Sequence, residues 1–211
     1  MGDQHPLIGL RVLEVGSRTI TPYIGKLFTD AGADVLKVES PEGDPFRTWS
    51  ASHATISDGE DSAWWRFLNA GKRIATIDLE TPEGHEAFLE LVAETDLVLD
   101  DHKPEDTERL NITPEELRAH NPAAVIASLT HFGTSGPWAN RPANDFTLQA
   151  LVGATENRGI PGEEPTACGG DLGDFVAAAL SAPAVLAVTL AAQHTGQGAH
   201  LDISQYEAMM L

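Results

Sequence analysis

The stretch Leu10–Glu39, LRVLEVGSRTITPYIGKLFTDAGADVLKVE, decides the fold. It opens on a near-continuous apolar run, Leu10–Val15, and closes on another, Asp34–Glu39. A strand covered on both faces of a sheet reads this way, because neither face can carry a polar series. Between the two runs, Pro22–Asp30 predicts a helix, with proline at its start, where a missing N–H costs nothing, and Ala31-Gly32-Ala33 ends it. Strand, helix, strand at this spacing is a βαβ unit with parallel strands.

The alternation continues down the chain. Ile74–Leu79, Leu97–Leu99 and Ala123–Leu129 read as strands three to five. Pro82–Glu94 reads as a helix capped by Thr81, and Thr113-Pro114-Glu115-Glu116 as the start of another. Ser40–Ser62 is a polar loop. The expectation is an α/β protein: a Rossmann-like, open, mostly parallel sheet with helices on its faces. Ligands of such sheets sit beyond the carboxyl ends of the strands, so the loops after Val15, Glu39, Leu79, Leu99 and Leu129 come first. Beyond the fifth strand, Thr130–Pro142 and Asn157–Gly170 are loops around a short helix, Asp145–Val152. A long helix runs from near Asp171 to about His194, then a strand over His200–Ile203 and a helix over Ser204–Leu211.

Of 211 residues, 42% are hydrophobic and 21% charged, an ordinary globular composition. Thirteen Lys+Arg against 32 Asp+Glu give a net charge of −19. A nucleic-acid backbone or an anionic membrane surface needs a basic footprint, so neither is expected as a partner. The one cysteine, Cys168, excludes a disulfide framework and a multi-cysteine zinc site, and no metal is expected. Met1–His5 has no basic or apolar leader, and Phe175–Ala192, with Ser181 and Pro183, reads as a buried helix and not a membrane span. A cytoplasmic protein is expected. No GxGxxG follows the first strand, where Gly16-Ser17-Arg18-Thr19-Ile20 stands instead. Walker A, GxSxG and zincin patterns are absent too, which argues against dehydrogenase, NTPase, serine hydrolase and metalloprotease.

What remains is a carboxylate among glycines, Gly169-Gly170-Asp171-Leu172-Gly173-Asp174. One reading is an N-cap, since Asp is a preferred cap and the long helix follows at once. The other is a nucleophile. The amides and dipole of a helix start favour the carboxylate anion. Flanking glycines allow close approach of a substrate carbonyl and offer N–H groups to an oxyanion. A carboxylate attacking a thioester gives a mixed anhydride, which a thiolate can reopen. One residue can do both.

Here the chain resembles the class III (CaiB/BaiF-type) CoA-transferase superfamily, the group of formyl-CoA:oxalate and carnitine CoA-transferases and alpha-methylacyl-CoA racemase. The matching blocks are Leu7–Glu14 (LIGLRVLE), Leu27–Glu39 (LFTDAGADVLKVE), Asn69–Glu83 (NAGKRIATIDLETPE), Phe132–Pro137 (FGTSGP) and Gly196–Ala208 (GQGAHLDISQYEA). Each is modest alone; their order and spacing together are specific. The resemblance implies that Asp171 is the catalytic aspartate and forms an aspartyl-CoA thioester before CoA passes to a carboxylic acid acceptor. It implies that coenzyme A or an acyl-CoA is bound as substrate by Arg18, Thr19 and Ile20 after the first strand, by Lys72 in the NAGKR turn, by Asp101 and His102 after the fourth strand, and by Arg109. Lys72, Arg73 and Arg109 suit phosphate chemistry in an acidic protein; surface charge is the competing account of Arg73.

The chain also departs from the family pattern. Ser40 stands where many members carry an arginine. Asp100-Asp101-His102-Lys103-Pro104-Glu105 replaces Glu-Asn-Phe-x-Pro-Gly, which adds negative charge where the nucleotide lies; Lys103 or Arg47 would have to compensate. The racemase branch has Gly-His-Asp where this chain has Ala143-Asn144-Asp145, and an asparagine cannot take an alpha-proton. His131 is a substitute base or an ordinary loop histidine. Transferase is therefore favoured over isomerase, with a degenerate, non-catalytic CoA-binding module as the further alternative. Family chains are roughly twice as long. On the resemblance, 1–195 is the large domain, and 196–211 is a strand and the start of a linker helix towards a second domain. A homodimer, interlocked in the family, or a hetero-oligomer with a second half is expected, as an oligomer or an unstable monomer.

Overall fold

The computed structural model of the chain describes residues 5–156 and 158–210. The readings that fall on 1–4, on Asn157 and on Leu211 lie outside the described residues. Six strands, β1 (Arg11–Glu14), β2 (Asp34–Glu39), β3 (Arg73–Thr76), β4 (Leu97–Asp100), β5 (Val125–Thr130) and β6 (His200–Ser204), form one sheet in the order β3-β2-β1-β4-β5-β6. Every neighbouring pair is parallel. This is the doubly wound order, with its switch point between β1 and β4. The boundary expected at 195 marks no break in the sheet, because β6 pairs with β5 from Ile126↔His200 to Thr130↔Ser204.

The central strands are buried throughout: β4 and β5 expose no residue, and β1 exposes only Arg11. Two apolar cores flank them. One joins Val12, Leu99, Val125 and Leu129 to Ile20, Ile24 and Phe28 and to Ala177, Ala178 and Val185. The other joins Leu13, Val98 and Ile126 to Phe88, Val92 and Leu117. The helices are α1 (Ile20–Asp30), α2 (Ala63–Asn69), α3 (Pro82–Ala93), α4 (Pro104–Leu110), α5 (Pro114–His120), α6 (Asp145–Leu151), α7 (Leu172–Thr195) and α8 (Gln205–Ala208). Thr81 caps α3 by accepting from the Gly84 N–H, and Thr113 caps α5 in the same way from Glu116. Two short helices, α2 and α4, were not expected. Each is only seven residues long, too short for a helical period to stand out. α1 starts at Ile20, two residues before the expected Pro22. Among the described residues α7 alone is long and apolar enough to cross a membrane. One of its faces, with Ala177, Ala178, Ala182 and Val185, lies in the core, while Val176, Leu180 and Leu190 are exposed.

Candidate active site

The loops beyond β1 and β4 meet at the switch point. Asp101 is buried, and its two oxygens accept from the backbone N–H groups of Ser17 (3.2 Å) and Arg18 (3.0 Å). The glycine at 16 is required there, because a Cβ would overlap the Asp101 carboxylate. Two cavities open beside this loop. The larger, about 570 Å³, runs over the ends of β1 and β2 and is lined by Ser17, Glu39, Asp44, Glu80, His102 and Arg109 among others. The smaller, about 180 Å³, is lined by Arg18, Asp101, His102, Lys103 and His131 among others.

The start of α7 points into the same region. Asp171 has a left-handed backbone (φ +51°, ψ +42°), which a side chain with a Cβ rarely adopts. Its carboxylate makes no capping hydrogen bond and instead accepts from Thr19 Oγ1 at 2.8 Å. The N-cap reading of Asp171 is thus corrected: the helix is capped from outside, by Asp145 of α6, whose Oδ1 accepts the Gly173 N–H at 2.7 Å. Gly173 must be a glycine for this, since a Cβ would overlap that oxygen. One turn on, Asp174 is buried and paired with Arg18 (Nη2 to Oδ1, 3.1 Å). The same guanidinium donates to Gln205 Oε1 and, at 3.3 Å, to the Leu129 carbonyl. Arg18 therefore ties the ends of β1, β5 and β6 to α7.

Three carboxylates, Asp145, Asp171 and Asp174, cluster at the α7 start, and of the three only Asp174 is paired with Arg18. Burial pushes Asp174 up to about 6, Arg18 opposes it, and Asp171 and Asp145 add to it. Burial also raises Asp145, against the hydrogen bonds of Gln149 and the Gly173 N–H. A carboxylate short of solvation and held near neutrality is a poised nucleophile or acid. His102 is in the opposite state. Burial works against its charge, but Asp100, bonded to Nδ1 at 2.6 Å, outweighs it and holds the ring up to about 9. His131, desolvated and facing Arg18 and Lys103, falls to about 3. It is neutral at physiological pH and a weak base.

Of the residues singled out from sequence, Arg18, Thr19 and Asp171 converge at the α7 start, and Asp101 holds the loop beside them. His102 and Arg109 line the larger cavity, where Arg109 is exposed and pairs with Glu80 (2.6 Å) and Asp106 (3.3 Å). Two of the residues expected to hold CoA have buried side chains. The Ile20 side chain is fully buried in the apolar core. Lys72 turns inward, where its ammonium donates to Glu14 (2.7 Å), the Pro22 carbonyl (2.8 Å) and Asn69 (3.1 Å). Burial works against that charge and Glu14 offsets it, so the ammonium is already engaged inside the protein. Arg73 lies on the surface in a two-bond pair with Asp34, at 2.8 Å for each bond. Arg47 is engaged by Glu39 (2.8 Å) and Asp61 (2.6 Å) and lies over the Trp65 ring. Asn144, in the triplet where the racemase pattern has histidine, caps α6 by accepting from the Thr147 N–H. Sequence reading passed over Asp174 and Gln205. The first had a visible signal, an acid three residues after Asp171 and hence on the same helix face; the second had none.

With this geometry in hand, comparison with known proteins gives one consistent result. The profile of CoA-transferase family III matches residues 7–211. The chain is similar to the succinate–glutarate CoA-transferase of Agrobacterium fabrum (34% identity, 94% of this chain, 50% of that protein). It is similar to the succinyl-CoA–D-citramalate CoA-transferase of Chloroflexus aurantiacus (35%, 98% and 50%). Among solved structures, a CaiB/BaiF family protein from Brucella suis superposes with a TM-score of 0.90 at 36% identity, over 97% of this chain and 54% of that one. The chain spans about half the length of the curated relatives it matches.

Proposed function

The chain belongs to CoA-transferase family III, and on that premise we propose that it moves CoA from an acyl-CoA to a carboxylic acid through a covalent adduct on a carboxylate at the start of α7. The carboxylate oxygen attacks the thioester carbonyl, and the C–S bond breaks to release CoA thiolate and leave a mixed anhydride. The thiolate attacks the aspartyl carbonyl, which expels the donor's acid and leaves an aspartyl thioester. The acceptor carboxylate then repeats the two steps in reverse and leaves with CoA, so the aspartate is regenerated with no net change of protons or electrons.

The observation that supports this reading is Asp171: strained, freed of capping by Asp145, and held by the Thr19 hydroxyl from the loop beyond β1. Non-glycine residues held at such backbone angles cluster at functional sites. Arg18 supplies positive charge where the anhydride oxygen develops. A second reading makes Asp174 the nucleophile. It is favoured by the raised pKa, which leaves an ionised but basic carboxylate at pH 7, and by the direct contact with Arg18. Asn144 is committed to capping α6, which gives the isomerase alternative no support.

Because the two relatives named above act on short dicarboxylic acids, succinyl-CoA is the donor to test first. The exposed apolar face of α7, with Val176, Leu180 and Leu190, supports a partner that covers it. The test is to incubate the protein with succinyl-CoA, trap with hydroxylamine or borohydride, and map the modified residue by mass spectrometry. Modification at Asp171 is the expected result, and modification at Asp174 selects the second reading. No adduct on either, with a completing partner present, removes the covalent mechanism.

A further inference from the structure

The loop that delivers Arg18 and Thr19 is gripped from two sides. On one side Asp101 takes the Ser17 and Arg18 N–H groups, one on each oxygen. On the other, Lys37 of β2 donates to the Gly16 carbonyl at 2.7 Å, while Glu14 (3.1 Å) and Asp44 (2.9 Å) neutralise it. Asp101 and Lys37 are both buried, and Gly16 lets the carboxylate lie flat against the turn. Hydrogen bonds from backbone amides to a carboxylate are roughly twice as strong as neutral ones. Beyond the gripped turn come the two functional arms: the Arg18 guanidinium on Asp174, and the Thr19 hydroxyl on Asp171. Arg18 is fixed at its own N–H by Asp101 and spends its far end on α7, so displacing the first displaces the second.

We infer that Asp101, backed by Lys37, is a positioning residue that fixes Arg18 against the α7 carboxylates, and not a contact for CoA. The resemblance to known transferases implies the ligand role; the burial and bonding of its carboxylate assign the other. The effect on transfer rests on the function proposed above, whereas the effect on the carboxylates does not. Asp174 is faced by Arg18 from the β1–α1 loop, by Asp171 on its own helix and by Asp145 from α6. Withdrawal of that guanidinium leaves it facing Asp171 and Asp145 among the described residues.

The test is Asp101→Asn in the full chain. Asparagine keeps the size but offers one acceptor oxygen, so one of the two N–H groups meets an NH₂. In a carboxyl ¹³C NMR titration, the midpoint of Asp174 is expected to rise by at least about half a pH unit, as it must when an adjacent cation moves away. CoA affinity by calorimetry is expected to stay within about twofold, while adduct formation at saturating succinyl-CoA falls about tenfold with KM unchanged. A tenfold loss of CoA affinity with the Asp174 midpoint unmoved would overturn the inference. Should Asp101→Asn not fold, Lys37→Met loosens the turn from the other side and must raise the same midpoint; an unmoved midpoint overturns it equally. If the wild-type protein neither binds CoA nor forms an adduct, the transferase reading fails, and the Asp174 midpoint still decides the positioning role.

Discussion

Two clusters of buried charge lie near the carboxyl end of β1 and are built to opposite rules. Under β1 and β2, Glu14 is held by Lys37 and Lys72, and Lys37 also by Asp44. Two carboxylates meet two ammonium groups, and the set is neutral. Burial pushes Glu14 up, but Lys72 and Lys37 outweigh it, so its carboxyl stays below the usual range. At the start of α7 Asp174 meets one guanidinium with Asp171 and Asp145 nearby, and it is driven the other way. A buried charge that is fully paired has no reason to react, and breaking it is what costs. A buried charge left in excess is what a reaction can use. The first cluster is framework and the second is site, although both contain basic residues that look alike in the sequence.

The largest effect expected is on activity. Asn at the reacting carboxylate lowers CoA transfer by about a thousandfold or more, roughly 4 kcal/mol of barrier. Asp171→Asn and Asp174→Asn, assayed side by side with succinyl-CoA, show which of the two it is. If neither variant loses activity, the contrast between the clusters is broken on its functional side.

In the framework cluster the loss is of stability instead. Glu14→Gln leaves Lys37 and Lys72 facing Asp44 alone and costs about 3–5 kcal/mol, read from urea unfolding. A loss below about 1 kcal/mol would show that the pairing is not structural.

The pH dependence sharpens the same contrast, because the signs are opposite. Asp174 has a folded pKa of about 6 against a model-compound value of 3.8, so the folded state binds the proton more tightly. Its ionisation therefore destabilises the fold above pH 6, by about 1–3 kcal/mol, and the cost is relieved as pH falls from 6 to 4. Glu14 is depressed, so its contribution is complete above its unfolded pKa of 4.5 and is lost as pH falls below that. His131, held at about 3, gives the opposite slope over the same window, so the test is the difference between proteins: Asp174→Asn should gain on the wild type as pH rises from 4 to 6 and leave the acid limb below 4.5 in place. Profiles of wild type and variant that run parallel from pH 6 to 4 contradict the assignment.

The smallest effect separates both clusters from the surface. At a net charge of −19 the exposed acids repel one another. Raising the salt from about 0.1 M to 1 M shortens the screening length from about 10 Å to 3 Å. The melting temperature should rise by a few degrees in the wild type, and by as much in Glu14→Gln, because the buried pair is scarcely screened.

The five expected strands are all present, as is the sixth at His200; the central β1, β4 and β5 were legible because a strand buried on both faces must be apolar along its length, whereas the edge strand β3 is half exposed and ends at Thr76, short of the expected Leu79. Their carboxyl ends could be named as the site on the same ground. Lys72 shows where that reading stops. A lysine in a turn reads as surface charge or a phosphate contact; only the fold of β1, β2 and α1 around it reveals that Glu14 lies at 2.7 Å and that the turn faces inward. Asp171 shows the complementary limit. An acid before a long helix reads as its cap, and spacing cannot reveal that Asp145, 28 residues before Gly173 in the chain, takes the Gly173 N–H in its place.

The sequence by itself determined the order of strands and helices, the absence of nucleotide and metal signatures, and the family, because these rest on local pattern and on the succession of short blocks. The tertiary structure decided which charges are neutralised and which are left over. That difference depends on a few ångströms between side chains from distant segments, and Coulomb energy under burial is steep over that range.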